Sequence, residues 1–145
     1  NHPNKQLLES LPGIASTLGP ILAAELGSDI TRFVDVKMLK AFAGSSPVTQ
    51  RSGKYCAIKY RRACNHRVRQ ALHLASQSAI VCCPWAREIY DKMRSQGKSY
   101  GRALRAVANQ LIEILYAVLI RRTPYSEDYH LRMKVIHSKA TPVLT

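Results

Sequence analysis

Hydrophobic residues recur every three or four positions along most of this chain, which is the spacing of one face of an α-helix. The longest such stretch covers residues 100–122, and two shorter stretches before it are ended by Pro84 and Gly97. The apolar positions of the longest stretch are Leu104, Val107, Ala108, Leu111, Leu115, Val118 and Leu119. The pattern therefore predicts a mainly α-helical fold, with a bundle of longer helices over 65–122.

Two short apolar segments at the start of the chain flank a Pro-Gly turn. The first stops at Pro12-Gly13 and the second at Gly27. Their apolar positions are Leu7, Leu8 and Leu11, then Leu18, Ile21, Leu22 and Leu26. Residues 7–27 thus have the spacing of a helix-hairpin-helix, in which turn amides such as that of Gly13 face a nucleic-acid phosphate. An ordinary helical hairpin that only packs is the alternative, because Pro-Gly turns are common.

The segment between the two helical regions is rich in turn residues. A short helix is predicted within "VDVKMLKAFAG", with Val36, Leu39 and Phe42 on one face and Gly44 as its C-cap, and Asp29 and Asp35 are suited to capping. Residues 44–54 have the composition of a loop, whereas "KYCAIKYRR" alternates weakly and can form a short strand or an extended segment. We therefore treat 44–62 as a basic loop that can hold short strands, 1–6 as a flank and 123–145 as a loose tail.

Positive charge is concentrated in this basic loop. The formal net charge is +13, and between Val36 and Arg87 the chain carries ten Lys or Arg and no acid. Such clustering is the electrostatic footprint of a nucleic-acid binder. An anionic membrane surface is disfavoured because the cluster lacks a large apolar face. The candidates for binding the nucleic-acid backbone are Arg51, Lys54, Lys59, Arg61, Arg62, Arg67 and Arg69.

The sequence offers no familiar hydrolase, nucleotide-binding or metal motif. HExxH, GxSxG and Walker patterns are absent, and the nine acids are too thinly spread to predict a Mg²⁺ site. Cys56, Cys64, His66 and Cys82 match no standard zinc spacing. No cofactor is therefore expected in this chain. Without a CxxC pair, a signal peptide or an apolar run of about 18 residues, the sequence indicates a cytoplasmic protein with reduced thiols and no membrane partner.

Ser52 is the residue of the basic loop best suited to chemistry. A serine hydroxyl attacks a phosphodiester when a base takes its proton and positive charge offsets that of the phosphate. Arg51 and Lys54 flank the Ser52-Gly53 pair, and glycine lets the backbone approach a phosphate closely. From residue types alone, a plain turn in a phosphate-binding loop is the competing interpretation. Asn65 is similarly open to two interpretations, as a helix N-cap or as a nucleic-acid contact.

Four segments in a fixed order carry a resemblance to a known family. They are "LLESLPGIASTLGPILAAELG", "RFVDVKMLKAFAGSSPVTQRSGK", "ACNHRVRQALHLASQSA" and "YDKMRSQGKSYGRALRAVANQLIEILY". Over about residues 7 to 121 the chain resembles the C-terminal transposase domain of the bacterial insertion-sequence recombinases related to the Piv-type DNA invertases. Members of that family are two-part enzymes. Their N-terminal half is a RuvC-like domain with four metal-binding acids, and their C-terminal half carries a serine in a P-x(4)-S-G segment.

The resemblance implies roles for particular positions. "PVTQRSG" matches P-x(4)-S-G, so Ser52 is implied to be the nucleophile that becomes covalently joined to a DNA end. "LPGIA" matches a helix-hairpin-helix turn that is usually LPGIG, with Ala15 in place of the second glycine. "ACNHRVRQAL" matches KxGNxxLRxxL and retains Asn65 and Arg69. Cys64 replaces a glycine there, and because a position that needs positive φ would not tolerate cysteine, a different local geometry is expected.

The resemblance also implies partners and a setting. DNA is the implied partner, some family members are guided by a structured RNA from the mobile element, and the implied location is the bacterial nucleoid. Mg²⁺ is implied in a RuvC-like half for which this chain has no candidate acids, and homo-oligomers are expected. The chain alone should then bind nucleic acid without recombining it. Two rivals stay open: a non-catalytic helix-hairpin-helix DNA- or RNA-binding module, and a basic assembly protein that dimerises through residues 100–122.

Overall fold

The computed structural model describes residues 2–45, 47–53, 55–60 and 64–132, with the two strands described by their backbone. Strands β1 (Pro47–Ser52) and β2 (Tyr55–Tyr60) form an antiparallel hairpin between the third and fourth α-helices. The helices are α1 (Lys5–Glu9), α2 (Leu18–Leu26), a 3-10 turn (Ile30–Arg32), α3 (Val36–Ala43), α4 (His66–Cys82), α5 (Pro84–Ser95) and α6 (Tyr100–Arg121). The predicted mainly helical class is confirmed.

Helix α6 forms the centre of the core. It packs against α1, α3, α4 and α5, and all seven apolar positions predicted for its buried face are buried. The Ser99 hydroxyl caps its start by accepting a hydrogen bond from the Arg102 N–H at 3.3 Å. By length and composition alone α6 could cross a membrane, but 56% of its most apolar window is buried inside the fold. This burial accounts for its composition as that of a core helix.

The shorter helices bury narrower faces than their sequences predict. In α2, Leu22 and Leu26 are buried, whereas Ile21 is 39% exposed. Helix α2 packs against α1 and α4 on one side, so the apolar stripe of α2 is wider than the surface that covers it. At the end of α4, Cys83 is buried and Cys82 is exposed.

Side-chain caps set the start of the 3-10 turn and of α3, as predicted for both aspartates. The carboxylate of Asp35 accepts from the Met38 N–H at 2.9 Å. The carboxylate of Asp29 accepts from the hydroxyl and the N–H of Thr31, and these hydrogen bonds lower the pKa of Asp29. Helix α3 ends at Gly44, whose φ of 74° confirms the predicted left-handed C-cap.

The Pro-Gly turn between α1 and α2 packs against α4. Gly13 has a φ of 78°, and a Cβ added to it would lie 2.2 Å from the Ala75 carbonyl oxygen and 3.2 Å from the Ala79 nitrogen. Internal packing therefore accounts for a glycine at this position. Residues 14–17 separate Gly13 from the start of α2 at Leu18, so the turn does not lead directly into that helix. The helix-hairpin-helix motif and a phosphate contact at Gly13 stay predictions.

The β-hairpin occupies a segment that was expected to be largely loop. The expectation for 55–60 as a short strand is met, whereas the loop expected over 44–54 is replaced by a strand from Pro47 to Ser52. Pro47 pairs with Tyr60 at the base and Ser52 with Tyr55 at the tip. The turn-like composition of β1 did not indicate a strand, because strand propensity depends on the residues of the pairing strand. Those residues lie outside the sequence segment from which β1 would be predicted.

The final described residues are helical rather than loose. Residues 127–132 form a short helical segment that starts after Ser126. The Ser126 carbonyl accepts from the His130 N–H at 3.0 Å, and its hydroxyl accepts from the Tyr129 N–H at 3.4 Å. The prediction of a loose tail over 123–145 is therefore wrong for residues 127–132, where Ser126 caps the start of a helix.

Tyr125 anchors this segment to the helical core. Its N–H donates to the Ser10 hydroxyl at 2.9 Å, and its own hydroxyl accepts from the Trp85 indole N–H at 3.0 Å. Burial raises the pKa of Tyr125 to about 12. The phenol is thus held neutral in a half-buried site between α1 and α5.

Candidate nucleic-acid interface at the hairpin root

The hairpin leaves the core where the end of α3 meets the start of α4. The Asn65 N–H donates to the Phe42 carbonyl at 2.7 Å, which ties the two helix ends together across the hairpin. Gly44 closes α3 in the left-handed conformation, and the Ser45 N–H donates to the Lys40 carbonyl at 3.0 Å. We call this junction, residues 42–45 and 64–69, the hairpin root. These backbone hydrogen bonds hold the base of the hairpin against the helical core.

Gly44 and Cys64 share one space at the hairpin root. A Cβ added to Gly44 would lie 2.6 Å from the Cys64 sulfur and 2.9 Å from the Cys64 Cβ. Cys64 itself is absent from the positive-φ residues in the described part of the chain, so the strain expected for a cysteine at this position does not arise. The cysteine side chain fits because the facing position is glycine.

A carboxylate on α2 orders the first turn of α4. The Asn65 side-chain oxygen accepts from the Arg67 and Val68 N–H groups, each at 3.1 Å, which confirms its N-cap role. The Asn65 amide nitrogen donates to Glu25 at 2.8 Å. Arg67 forms an ion pair with the other oxygen of Glu25 at 3.3 Å, although the Arg67 side chain stays 81% exposed. Asn65 therefore has a structural role that uses both ends of its amide.

A cavity of about 470 Å³ opens beside the hairpin root, between α3, α4 and α6. Its polar wall comes from one face of α4 together with one residue of α6, and its floor is apolar. None of the residues that line it is acidic. The lining is Ala43, Gly44, Ser45, His66, Arg69, Gln70, Leu72, His73, Leu104, Arg105 and Ala108. We call this cavity the root pocket; its composition suits an anionic ligand with an apolar part.

The sequence-predicted site residues fall into three groups. Asn65, Arg67 and Arg69 lie at the hairpin root, and Arg69 also lines the root pocket. Ser52 ends β1 beside Gly53, whose φ is 58°; the structure describes only the backbone of Ser52, as of Arg51 in β1 and Lys59 in β2. Three candidates lie outside the described residues: Lys54, Arg61 and Arg62.

Gly53 has open space beside it among the described residues. A Cβ added there would meet no atom of the described residues within 4 Å, in contrast to Gly13 and Gly44. A positive φ in a short hairpin connection is typical of turns whose twist matches that of the paired strands. The serine and the glycine thus lie together at the tip, away from the root pocket.

Sequence analysis missed five polar residues of the root pocket, which are Ser45, His66, Gln70, His73 and Arg105. His66, Gln70 and His73 were not linked to Arg69, although all four lie at the i, i+3, i+4, i+7 spacing of one helical face. That spacing was the available signal. Arg105 had no such signal, because it joins the group through the packing of α6 on α4.

The described part of the chain does not bring metal ligands together. Within residues 2–45, 47–53, 55–60 and 64–132, no group of three or more His, Cys, Asp or Glu side chains could hold a metal ion. The described residues therefore offer no ligand set for Mg²⁺, and no chemical step through a metal is derived from them.

A family model places this architecture among known proteins. The model described as "Transposase IS116/IS110/IS902 family" matches residues 5–91, which is more than half of the chain. The chain belongs to the IS116/IS110/IS902 transposase family. The match spans α1 to α4, the hairpin and part of α5, so the hairpin root lies within the region characteristic of IS116/IS110/IS902 transposases.

Individual relatives agree with this membership. The chain is 32% identical over 127 residues to a mini-circle protein of Streptomyces coelicolor assigned as the transposase of IS117. It is 31% identical over 125 residues to the IS110 43.6 kDa protein of the same organism, and 30% identical over 119 residues to the IS900 42 kDa protein of Mycobacterium paratuberculosis. These alignments cover 88%, 86% and 81% of this chain but 31%, 31% and 30% of the relatives. The IS116/IS110/IS902 chain therefore spans about a third of the length of its curated relatives.

Proposed function

We propose that this chain is the DNA-binding, serine-bearing part of a transposase that cuts and rejoins DNA through a covalent serine–DNA intermediate. Membership of a transposase family makes DNA the partner, and the net charge of +13 suits that partner. The observation that carries the proposal is the position of Ser52. It lies at the tip of a hairpin, next to an unobstructed Gly53, in a segment without a single acid.

Ser52 acts as the nucleophile in this proposal. Its Oγ forms a bond to the phosphorus of a DNA phosphodiester, and the bond from that phosphorus to the departing strand's oxygen breaks. The serine proton passes to a general base, and the departing oxygen takes up a proton. One phosphodiester is exchanged for another, so the reverse reaction with a new strand rejoins DNA without an energy source.

The basic residues around Ser52 provide the charge that this step needs. A phosphorane-like transition state carries more negative charge on its oxygens than the starting diester does. Arg51 adjoins Ser52 in β1 and Lys54 follows it by two residues in the sequence, whereas Lys59 pairs with Val48 near the base of the hairpin. In the longer protein, a RuvC-like half with Mg²⁺ would complete the enzyme, subunits would pair, and a structured RNA of the element would guide target choice in members that use one.

A denaturing gel of protein–DNA adducts tests the nucleophile. The complete transposase that contains this chain is incubated with labelled element-end DNA, Mg²⁺ and the element's own transcript. We expect a covalent adduct with the wild type and none with Ser52→Ala. Thr49→Ala, which removes another hydroxyl from the same strand, is the matched control and should retain the adduct.

Two results would contradict the proposal. An adduct that persists in Ser52→Ala would assign the nucleophile elsewhere. A wild-type protein that binds the element-end DNA but never forms an adduct would support the rival interpretation. The chain would then be a non-catalytic binding module, with Ser52-Gly53 as a plain turn.

A further inference from the structure

The root pocket presents a row of hydrogen-bond donors along one face of α4. His66, Arg69, Gln70 and His73 follow each other at helical spacing and line the same cavity. Arg105 adds a second guanidinium from α6, which packs against α4. Guanidinium groups pair with phosphate through two parallel N–H···O bonds, a geometry that a lysine cannot provide.

The lining of the root pocket selects for an anion that carries an apolar body. Its walls hold no carboxylate to repel a phosphate, and its floor includes the buried side chain of Leu104. At about 470 Å³ the cavity is larger than a lone phosphate needs and falls in the size range of pockets for nucleotide-sized ligands. A sugar or base could therefore rest on the floor while the phosphate meets the arginines.

The hairpin separates the root pocket from Ser52. Ser45 lines the pocket two residues before β1, and Ser52 is the last residue of that strand. Five residue steps from Pro47 to Ser52, at about 3.3 Å each, span roughly 17 Å. Neighbouring phosphates of one DNA strand are much closer together than this, so the root pocket and Ser52 would meet different nucleotides of the same strand.

We propose that the root pocket binds one nucleotide unit of the DNA strand, with its phosphate on Arg69 and Arg105, at a different nucleotide from the one whose phosphate faces Ser52. This inference rests on the proposed function for its DNA partner, and it assigns a second, non-reacting contact. The pocket positions the strand while the hairpin tip reaches the reacting phosphate.

Arg69 is held in place for this contact by the hairpin root. Its Cδ lies 3.5 Å from the position that a Cβ on Gly44 would take, so its stem runs along the turn that ends α3. A guanidinium whose stem is packed loses less side-chain entropy on binding than a fully solvated one. Arg105 is likewise half-buried, on the opposite wall.

Fluorescence anisotropy of the 145-residue chain tests the pocket without requiring catalysis. The probes are a labelled single-stranded thymidine 20-mer and a labelled uridine 20-mer, each titrated at several salt concentrations. We expect Arg69→Gln and Arg105→Gln each to weaken DNA binding about tenfold or more, because each removes a charge-assisted contact. Each variant should also lower the slope of log affinity against log salt by about one.

Arg102→Gln is the matched control. It removes the same charge from the same helix as Arg105→Gln, but Arg102 is exposed and does not line the pocket. We expect its affinity to stay within about twofold of the wild type at physiological salt, where exposed charges are screened. Melting curves verify that each variant is folded, and Arg105→Gln carries the test if Arg69→Gln disturbs the turn at Gly44.

Each result decides the proposal. It is overturned if both pocket variants bind both probes as tightly as Arg102→Gln does. Loss confined to the uridine probe would also overturn it, because the pocket would then serve RNA. A loss with DNA supports it, whether or not RNA binding falls as well. An absent Ser52 adduct would refute the proposed nucleophile and leave this result standing, so the two failures are distinguishable.

Discussion

Replacement of Gly13 by alanine tests whether the Pro-Gly turn is built to pack on α4. The new Cβ would lie 2.2 Å from the Ala75 carbonyl oxygen, in the middle of a helix whose backbone cannot easily move. Overpacking of this kind costs about 1–3 kcal/mol. The positive φ of 78° adds about 1–2 kcal/mol, and the lower entropy of the unfolded chain returns about 0.4–1 kcal/mol. We therefore expect Gly13→Ala to destabilise the fold by about 3 kcal/mol.

Gly97→Ala is the control that separates the steric cost of the new Cβ from the cost of placing alanine at a positive φ. Gly97 has a φ of 79°, nearly that of Gly13, but a Cβ added there meets no atom of the described residues within 4 Å. The control should therefore lose about 1 kcal/mol or less. Thermal and urea denaturation, followed by far-ultraviolet circular dichroism, measure both variants. For a chain of this size we expect a melting temperature about 6–12 °C lower for Gly13→Ala.

An equal loss in the two glycine variants would refute this reasoning. It would mean that the turn does not pack tightly against α4, and that the glycine has a role other than packing. The phosphate contact predicted for Gly13 would then gain its first physical support. A much larger loss at Gly13 than at Gly97 would instead establish packing as sufficient reason for the glycine.

Two further perturbations address the N-cap of α4 and the anchor of the terminal segment. Asn65→Ala should lower the free energy of unfolding, measured by chemical denaturation, by about 1 kcal/mol. Asn65→Asp should not retain the wild-type stability, because its carboxylate would face Glu25, and adding Glu25→Gln should recover that stability. An absence of coupling in this double-mutant cycle would contradict the Asn65–Glu25 network. The folded pKa of Tyr125 is about 12, above the unfolded value near 10, so its contribution is complete below pH 10 and is lost as the pH rises through 12. Between these pH values the free energy of unfolding of the wild type should fall by up to about 2 kcal/mol relative to that of Tyr125→Phe. If the stability of both proteins changes with pH in the same way, the phenol is not buried.

The sequence best predicted the features that depend only on residues within or next to one helix. All seven positions predicted for the buried face of α6 are buried, because a long apolar stripe at 3.6-residue spacing has one structural solution; the helix also buries Ala103, Ile112 and Ile114. Asn65 and Gly44 were predicted as caps because capping depends on a few adjacent residues. These features are local, so a single sequence contains all the information that they require.

The hairpin root was harder to predict because its parts come from distant segments. Strand β1 depends on its pairing with β2, and Glu25 reaches Asn65 across 40 residues of sequence. The root pocket needs α6 to bring Arg105 to the face of α4 that carries Arg69. Charge composition indicated a basic region, but only tertiary packing decides which basic residues share a cavity.

The shared space of Gly44 and Cys64 sets a rule for natural sequence variation at the hairpin root. Any side chain at 64 occupies the volume into which a Cβ at 44 would project, so homologues with a side chain at 64 are confined to glycine at 44. Homologues with glycine at 64 have room at 44, and there asparagine, which tolerates a left-handed backbone, becomes admissible. The two positions should therefore covary across the lineage, with a side chain present at one of them at most.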